Sequence, residues 1–84
     1  MSNTTTEVIA LLDRVLGLQG RAKGFTRETR LLGAVPELDS MAVATLLTSI
    51  EERYGVTIDD DEIDGSAFAS VGSLADFVER KRAG

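Results

Sequence analysis

Asp39-Ser40-Met41-Ala42-Val43-Ala44-Thr45-Leu46-Leu47-Thr48-Ser49-Ile50-Glu51-Glu52-Arg53-Tyr54-Gly55 is the stretch that decides the fold. Asp39 is a preferred N-cap residue, because its carboxylate accepts from backbone N–H groups that the first turn of a helix leaves without partners. Val43, Leu46, Leu47, Ile50 and Tyr54 recur at three- and four-residue spacing, which places them on one helical face. Gly55 stands where a chain leaves a helix through a left-handed conformation. A helix over 40–54 follows, with the Ser40 hydroxyl exposed in its first turn.

Working outward, Thr4 and Glu7 have the spacing of a capping box, in which each side chain satisfies the other's backbone N–H. Val8, Leu11, Leu12 and Val15, widened by Ile9 and Leu16, then form an apolar stripe, and Gly17 and Gly20 close that helix. Beyond Gly55, Val56-Thr57-Ile58 is extended. The run Asp59-Asp60-Asp61-Glu62 favours the start of a short helix through Ile63, since carboxylates complement the positive end of a helix, and Gly65 makes that helix brief or splits it. The last helix runs from Ser70 or Val71 to Arg82, with Val71, Leu74, Ala75 and Val78 inward and Arg80-Lys81-Arg82 in the final turn.

Residues 18–38 lose periodicity, carry three glycines and the only proline, and predict a long first loop. Loops beyond about 12–15 residues in compact domains are usually functional. Thr26 to Leu32 is expected to form a helical turn, and Leu31, Leu32 and Val35 to fold inward and pin the loop. No strand alternation and no repeat is present. The expectation is an all-α bundle of three main helices and one short helix, in a single domain over residues 1–84.

At 84 residues, 43% of them hydrophobic, the chain has enough material for one modest core and too little for two. It contains neither cysteine nor histidine, which removes disulfides, thiolate nucleophiles, the usual zinc and haem ligands and every Ser–His dyad. No serine sits in S-x-x-K or G-x-S-x-G and no glycines fall at G-x-G spacing, so catalysis and nucleotide cradling are both poorly provided for. The chain is read as a non-enzyme. A net charge of −5 argues against a nucleic-acid partner, because phosphate binders carry excess Lys and Arg. That charge is uneven: residues 37–64 hold nine acidic residues against Arg53 alone. The longest apolar run, Val8-Ile9-Ala10-Leu11-Leu12, falls far short of the roughly 18 residues that a membrane span needs. With no secretory signal pattern at the N-terminus, a cytoplasmic location is expected.

The acidic run invites a metal test. Asp60, Glu62, Asp64 and Gly65 match positions one, three, five and six of a calcium-binding EF-hand loop, but position twelve, which needs a bidentate glutamate, is Val71. Solvated acids and no metal site are therefore expected.

The stretch from Leu32-Gly33 to Ser40-Met41, the helix after it, and Glu51-Glu52-Arg53-Tyr54-Gly55-Val56-Thr57-Ile58 resemble acyl carrier proteins, whose signature is an Asp-Ser-Leu-like tripeptide opening the second helix. The likeness in length, acidity and order of elements covers residues 6–82. It implies an acyl-carrier-like four-helix bundle, with Ser40 as the attachment point for 4′-phosphopantetheine, donated by coenzyme A through a separate phosphopantetheinyl transferase. The terminal thiol of that arm would carry acyl groups as thioesters, which suits a chain without cysteine. The resemblance further implies a docking surface at Asp39, Met41, Thr45, Glu51 and Glu52 for acyl-loading and acyl-transferring enzymes with basic patches, a monomeric state, and an apolar interior near Val43, Leu46, Leu47 and Ile63 that shelters the acyl chain. An aminoacyl or polyketide cargo, and an unmodified acidic helical adaptor, remain alternatives.

Carrier proteins of bacterial fatty-acid synthesis place acids in the first two turns of the second helix; here those turns read Ala42-Val43-Ala44-Thr45, and Glu37 stands where a glycine is common. A dedicated pathway fits better, and the Leu31–Met41 stretch is similar to carriers associated with exosortase and exopolysaccharide clusters.

Overall fold

Three amphipathic stretches wind into α-helices in the computed structural model, which describes residues 3–63 and 65–83, Asp60 by its backbone alone. They are α1 (Asn3–Leu16), α2 (Ser40–Tyr54) and α3 (Val71–Ala83). Single 3-10 turns lie at Arg21–Gly24, Asp60–Glu62 and Gly65–Phe68, so the expected short helix is split in two near Gly65. α1 packs closely along both α3 and α2, whereas α2 and α3 approach each other less closely. Val8 and Leu12 of α1, Leu46 and Ile50 of α2, and Val71, Leu74, Ala75 and Val78 of α3 are fully buried in one core. Phe68 and Phe77 join them, although the sequence reading had not assigned them to it.

The helix ends show where local signals prevailed and where tertiary partners overrode them. Asp39 and Gly55 bound α2 as expected. The Thr4–Glu7 capping box does not form, because α1 already includes Asn3 and Thr4 is a buried residue within it. Thr4 Oγ1 instead accepts from Arg82 Nη1 at 3.1 Å, and Glu7 Oε1 accepts from the Tyr54 hydroxyl at 2.8 Å. Arg82 also lies 4.9 Å above the Tyr54 ring. This cluster ties the start of α1 to the ends of α2 and α3. At the start of α3, the Ser70 hydroxyl accepts from Ser73 N at 3.1 Å while Ser73 Oγ accepts from Ser70 N at 3.0 Å, a reciprocal cap.

The long first loop is fastened at both ends. Near α1, the Asp13 carboxylate accepts from the backbone N–H groups of Gly20 and Ala22 at 2.9 and 3.2 Å. Further on, the expected helical turn over Thr26–Leu32 reduces to one tight turn, closed by Thr29 N donating to Thr26 O, after which the chain runs alongside residues 68–72. Leu31 N donates to Ala69 O, Leu32 N to Phe68 O, Val71 N to Thr29 O and Gly72 N to Arg27 O, all at 2.9–3.0 Å. The backbones come so close that a Cβ on Gly72 would sit 3.0 Å from Arg27 O. The Arg27 guanidinium completes the staple by donating to Asp76 at 3.0 Å and to Thr5 Oγ1 at 3.3 Å. This geometry buries Leu31 and half-buries Val35 but turns Leu32 outward, contrary to expectation, because adjacent residues in an extended segment face opposite ways.

Candidate functional site

The site is built on the first turn of α2. Asp39 adopts an extended conformation, its Oδ1 accepts from Ala42 N at 2.8 Å, and its carbonyl accepts from Val43 N at 2.9 Å. The cap fixes Ser40 as the first helical residue, exposed to solvent at the positive end of a 15-residue helix. A phosphate ester on Ser40 Oγ fits this position. The hydroxyl is accessible, helix N-termini favour anions, and no side chain from Ser40 to Ile50 is charged.

The approach to Ser40 is held by an ion pair between Arg21 and Glu37, which links the 3-10 turn after α1 to the residues before the cap. The hydrogen bond from the Arg21 guanidinium holds the Glu37 carboxyl below the usual glutamate range. Arg21 Nε also donates to Leu18 O at 3.1 Å, which fixes its direction. This pair spans sixteen positions of sequence and has no local signature.

The other expected residues divide into two groups. Met41 is 78% exposed, and Thr45 and Glu52 also face solvent on the outer side of α2. Ala44, Thr45, Thr48, Ser49 and Glu52 line a shallow depression of about 360 Å³ there. Glu51 is turned the other way: its Oε2 accepts from Ile58 N at 2.8 Å and folds the chain back after Gly55. The paired acids Glu51 and Glu52 therefore have different fates. Beyond them, Glu62 accepts from Asp59 N at 2.9 Å and pairs with Lys81 at 2.7 Å; the backbone N–H, then the ammonium, hold its carboxyl below the usual range.

Of the interior residues, Leu46 is fully buried, and Val43, Leu47 and Ile63 are half-buried against the core. An open apolar groove of about 420 Å³ lies elsewhere, between α1 and the first loop, lined by Ile9, Ala10, Ala22 and Phe25. Asp64, position five of the calcium-loop pattern, lies outside the described residues, as does the side chain of Asp60. Among the described residues no cluster of three metal-ligating side chains occurs. No described helix is long and apolar enough to cross a membrane. Sequence reasoning did not anticipate Arg21, or the outward turn of Leu32, whose side chain lies beside Gly65.

Comparison with known proteins points to one family. The family described as phosphopantetheine attachment site matches residues 6–78. Acyl carrier protein AsbD of Bacillus anthracis is 38% identical over 52 residues, a match covering 62% of this chain and 57% of that protein's length. The solution NMR structure of a holo acyl carrier protein from Nitrosomonas europaea superposes with a TM-score of 0.88 at 43% identity, covering all of both chains.

Proposed function

This chain belongs to the phosphopantetheine attachment-site family and is an acyl carrier protein, and we propose that Ser40 is the residue bearing its phosphopantetheine arm. The observation that carries the assignment is the capped, exposed and charge-free first turn of α2, with Ser40 at its positive end. Attachment joins Ser40 Oγ to the phosphorus of coenzyme A that carries the pantetheine. The P–O bond to adenosine 3′,5′-bisphosphate breaks, and the hydroxyl proton passes to a base of the phosphopantetheinyl transferase. The attached arm supplies a terminal thiol on which acyl groups travel as thioesters.

The protein's own residues then do three things. Asp39 and the Arg21–Glu37 pair hold the serine in a fixed turn, the N-terminus of α2 accommodates the phosphodiester charge, and the outer face of α2 meets the enzymes that load and unload the thiol. The chain acts as one carrier domain in the cytoplasm and leaves catalysis to those enzymes. Basic patches on them pair with exposed acids such as Glu52, Asp59 and Asp61.

The test is intact mass after incubation with coenzyme A and a broad-specificity transferase. The native chain gains one phosphopantetheine and Ser40→Ala gains none. Absence of a gain in the native chain favours an unmodified adaptor, and an equal gain in the variant moves the attachment away from Ser40.

A further inference from the structure

We infer that the open groove between α1 and the first loop is a binding site for a free carboxylic acid with a linear alkyl tail, the tail lying along α1 and the carboxylate on Lys23. The groove, about 420 Å³, falls within the size range of small-molecule sites. Ile9 and Ala22, both buried, form its apolar floor, and the exposed Ala10 and half-buried Phe25 stand beside them. All of its lining residues come from α1 and the first loop, so it shares none with the turn that carries Ser40 or with the interior around Val43, Leu46, Leu47 and Ile63.

Length and charge select the ligand. Along α1 the lining runs from Thr6 to Asp13, about 10 Å of helix. An extended chain advances about 1.2 Å per bond, so about eight carbon–carbon bonds fill that length. Two of the lining residues are charged, and they differ in what they offer. The Asp13 carboxylate is turned onto the backbone N–H groups of Gly20 and Ala22, at 2.9 and 3.2 Å, whereas Lys23 is exposed and makes no ion pair among the described residues. The surrounding field has the sign of Lys23: residues 14–30 hold five basic residues against Glu28 alone, the reverse of the balance over residues 37–64. An ammonium beside an apolar trough takes an anionic head on an apolar tail, while a cationic head would be repelled there. Hydrolysis of a carried thioester by water releases an acid of this kind together with the thiol.

Titration of the whole, isotope-labelled chain with sodium decanoate, followed by NMR, tests this. The amides of Ile9, Ala10, Ala22 and Phe25 shift and saturate with a Kd below about 1 mM. Ala10→Phe, a change at an exposed position that fills the groove, weakens binding by about tenfold or more. Lys23→Gln weakens it about threefold, as loss of one exposed charge pair does, and decyltrimethylammonium binds the native chain more weakly than decanoate by about the same factor or more. Ser40→Ala binds decanoate as the native chain does, so the result is independent of where the arm is attached. Absence of saturation by about 5 mM overturns the site. Shifts centred on Leu46, Leu47 and Ile63, or equal affinity for decanoate and decyltrimethylammonium, do so as well. Association with phosphatidylglycerol vesicles without saturable shifts from monomeric decanoate overturns it in favour of a membrane contact.

Discussion

α1 buries seven of its fourteen residues and α3 six of its thirteen, whereas α2, longer than either, fully buries only Leu46 and Ile50. α1 and α3 are also joined by contacts distant in sequence, such as Arg82 on Thr4, and Arg27 of the loop bridges them through Thr5 and Asp76. α2 packs on α1 through Leu46 and Ile50 and is fastened near its ends by the Arg21–Glu37 pair on one side and by the Tyr54–Glu7 and Ile58–Glu51 hydrogen bonds on the other. The difference separates two tasks. One pair of helices makes a scaffold, and the third trades burial for a long outward face beside Ser40.

The largest expected effect tests whether α2 opens separately from that scaffold. Leu46→Ala and Leu12→Ala should each lose about 2–5 kcal/mol in urea denaturation, the usual cost of truncating a fully buried leucine. Hydrogen exchange should then distinguish them. Leu46→Ala speeds exchange in α2 ahead of α1 and α3, while Leu12→Ala speeds all three together. Equal acceleration across the helices in Leu46→Ala would remove the distinction. A smaller effect is expected from Asp39→Ala, about 1 kcal/mol, with fraying confined to the first turn of α2 and visible as faster exchange there.

The smallest is a response to acid. Arg21 lowers the pKa of Glu37, and Asp59 N–H with Lys81 lowers that of Glu62, so their contribution to stability is present at neutral pH. It is lost as pH falls from the ordinary glutamate value of about 4.3 through the lower folded values. The first tether precedes α2 and the second joins the turn after it to α3, and thermal melts of Glu37→Gln and Glu62→Gln should show a shallower loss of stability between neutral and acidic pH than the native chain shows. A native-like acid slope in both variants would place the acid sensitivity in carboxylates other than these two.

Features governed by neighbours in sequence were legible before the structure. The Asp39 cap, the Gly55 stop, the three apolar stripes and the position of Ser40 all depend on residues within one or two helical turns. The Thr4–Glu7 box had an equally good local pattern and failed because Arg82 and Tyr54, remote in sequence, claim those side chains. Leu32 faces out because its backbone pairs with Phe68, which no periodicity near Leu32 encodes. The separate fates of Glu51 and Glu52 were hidden for the same reason, since only the path of the chain after Gly55 brings Ile58 N to one of them.

The ladder between the first loop and residues 68–72 also imposes an order in time. A ribosome that has released the chain as far as Tyr54 has delivered Ser40 and the whole of α2, yet the carbonyls of Phe68 and Ala69 and the amides of Val71 and Gly72 do not yet exist. The loop leading to the serine can take its native course only when those later residues emerge. A chain that has emerged only to Tyr54 can already close the Asp39 cap, which needs nothing beyond Val43, but it lacks the partners that set the course of the loop leading to it.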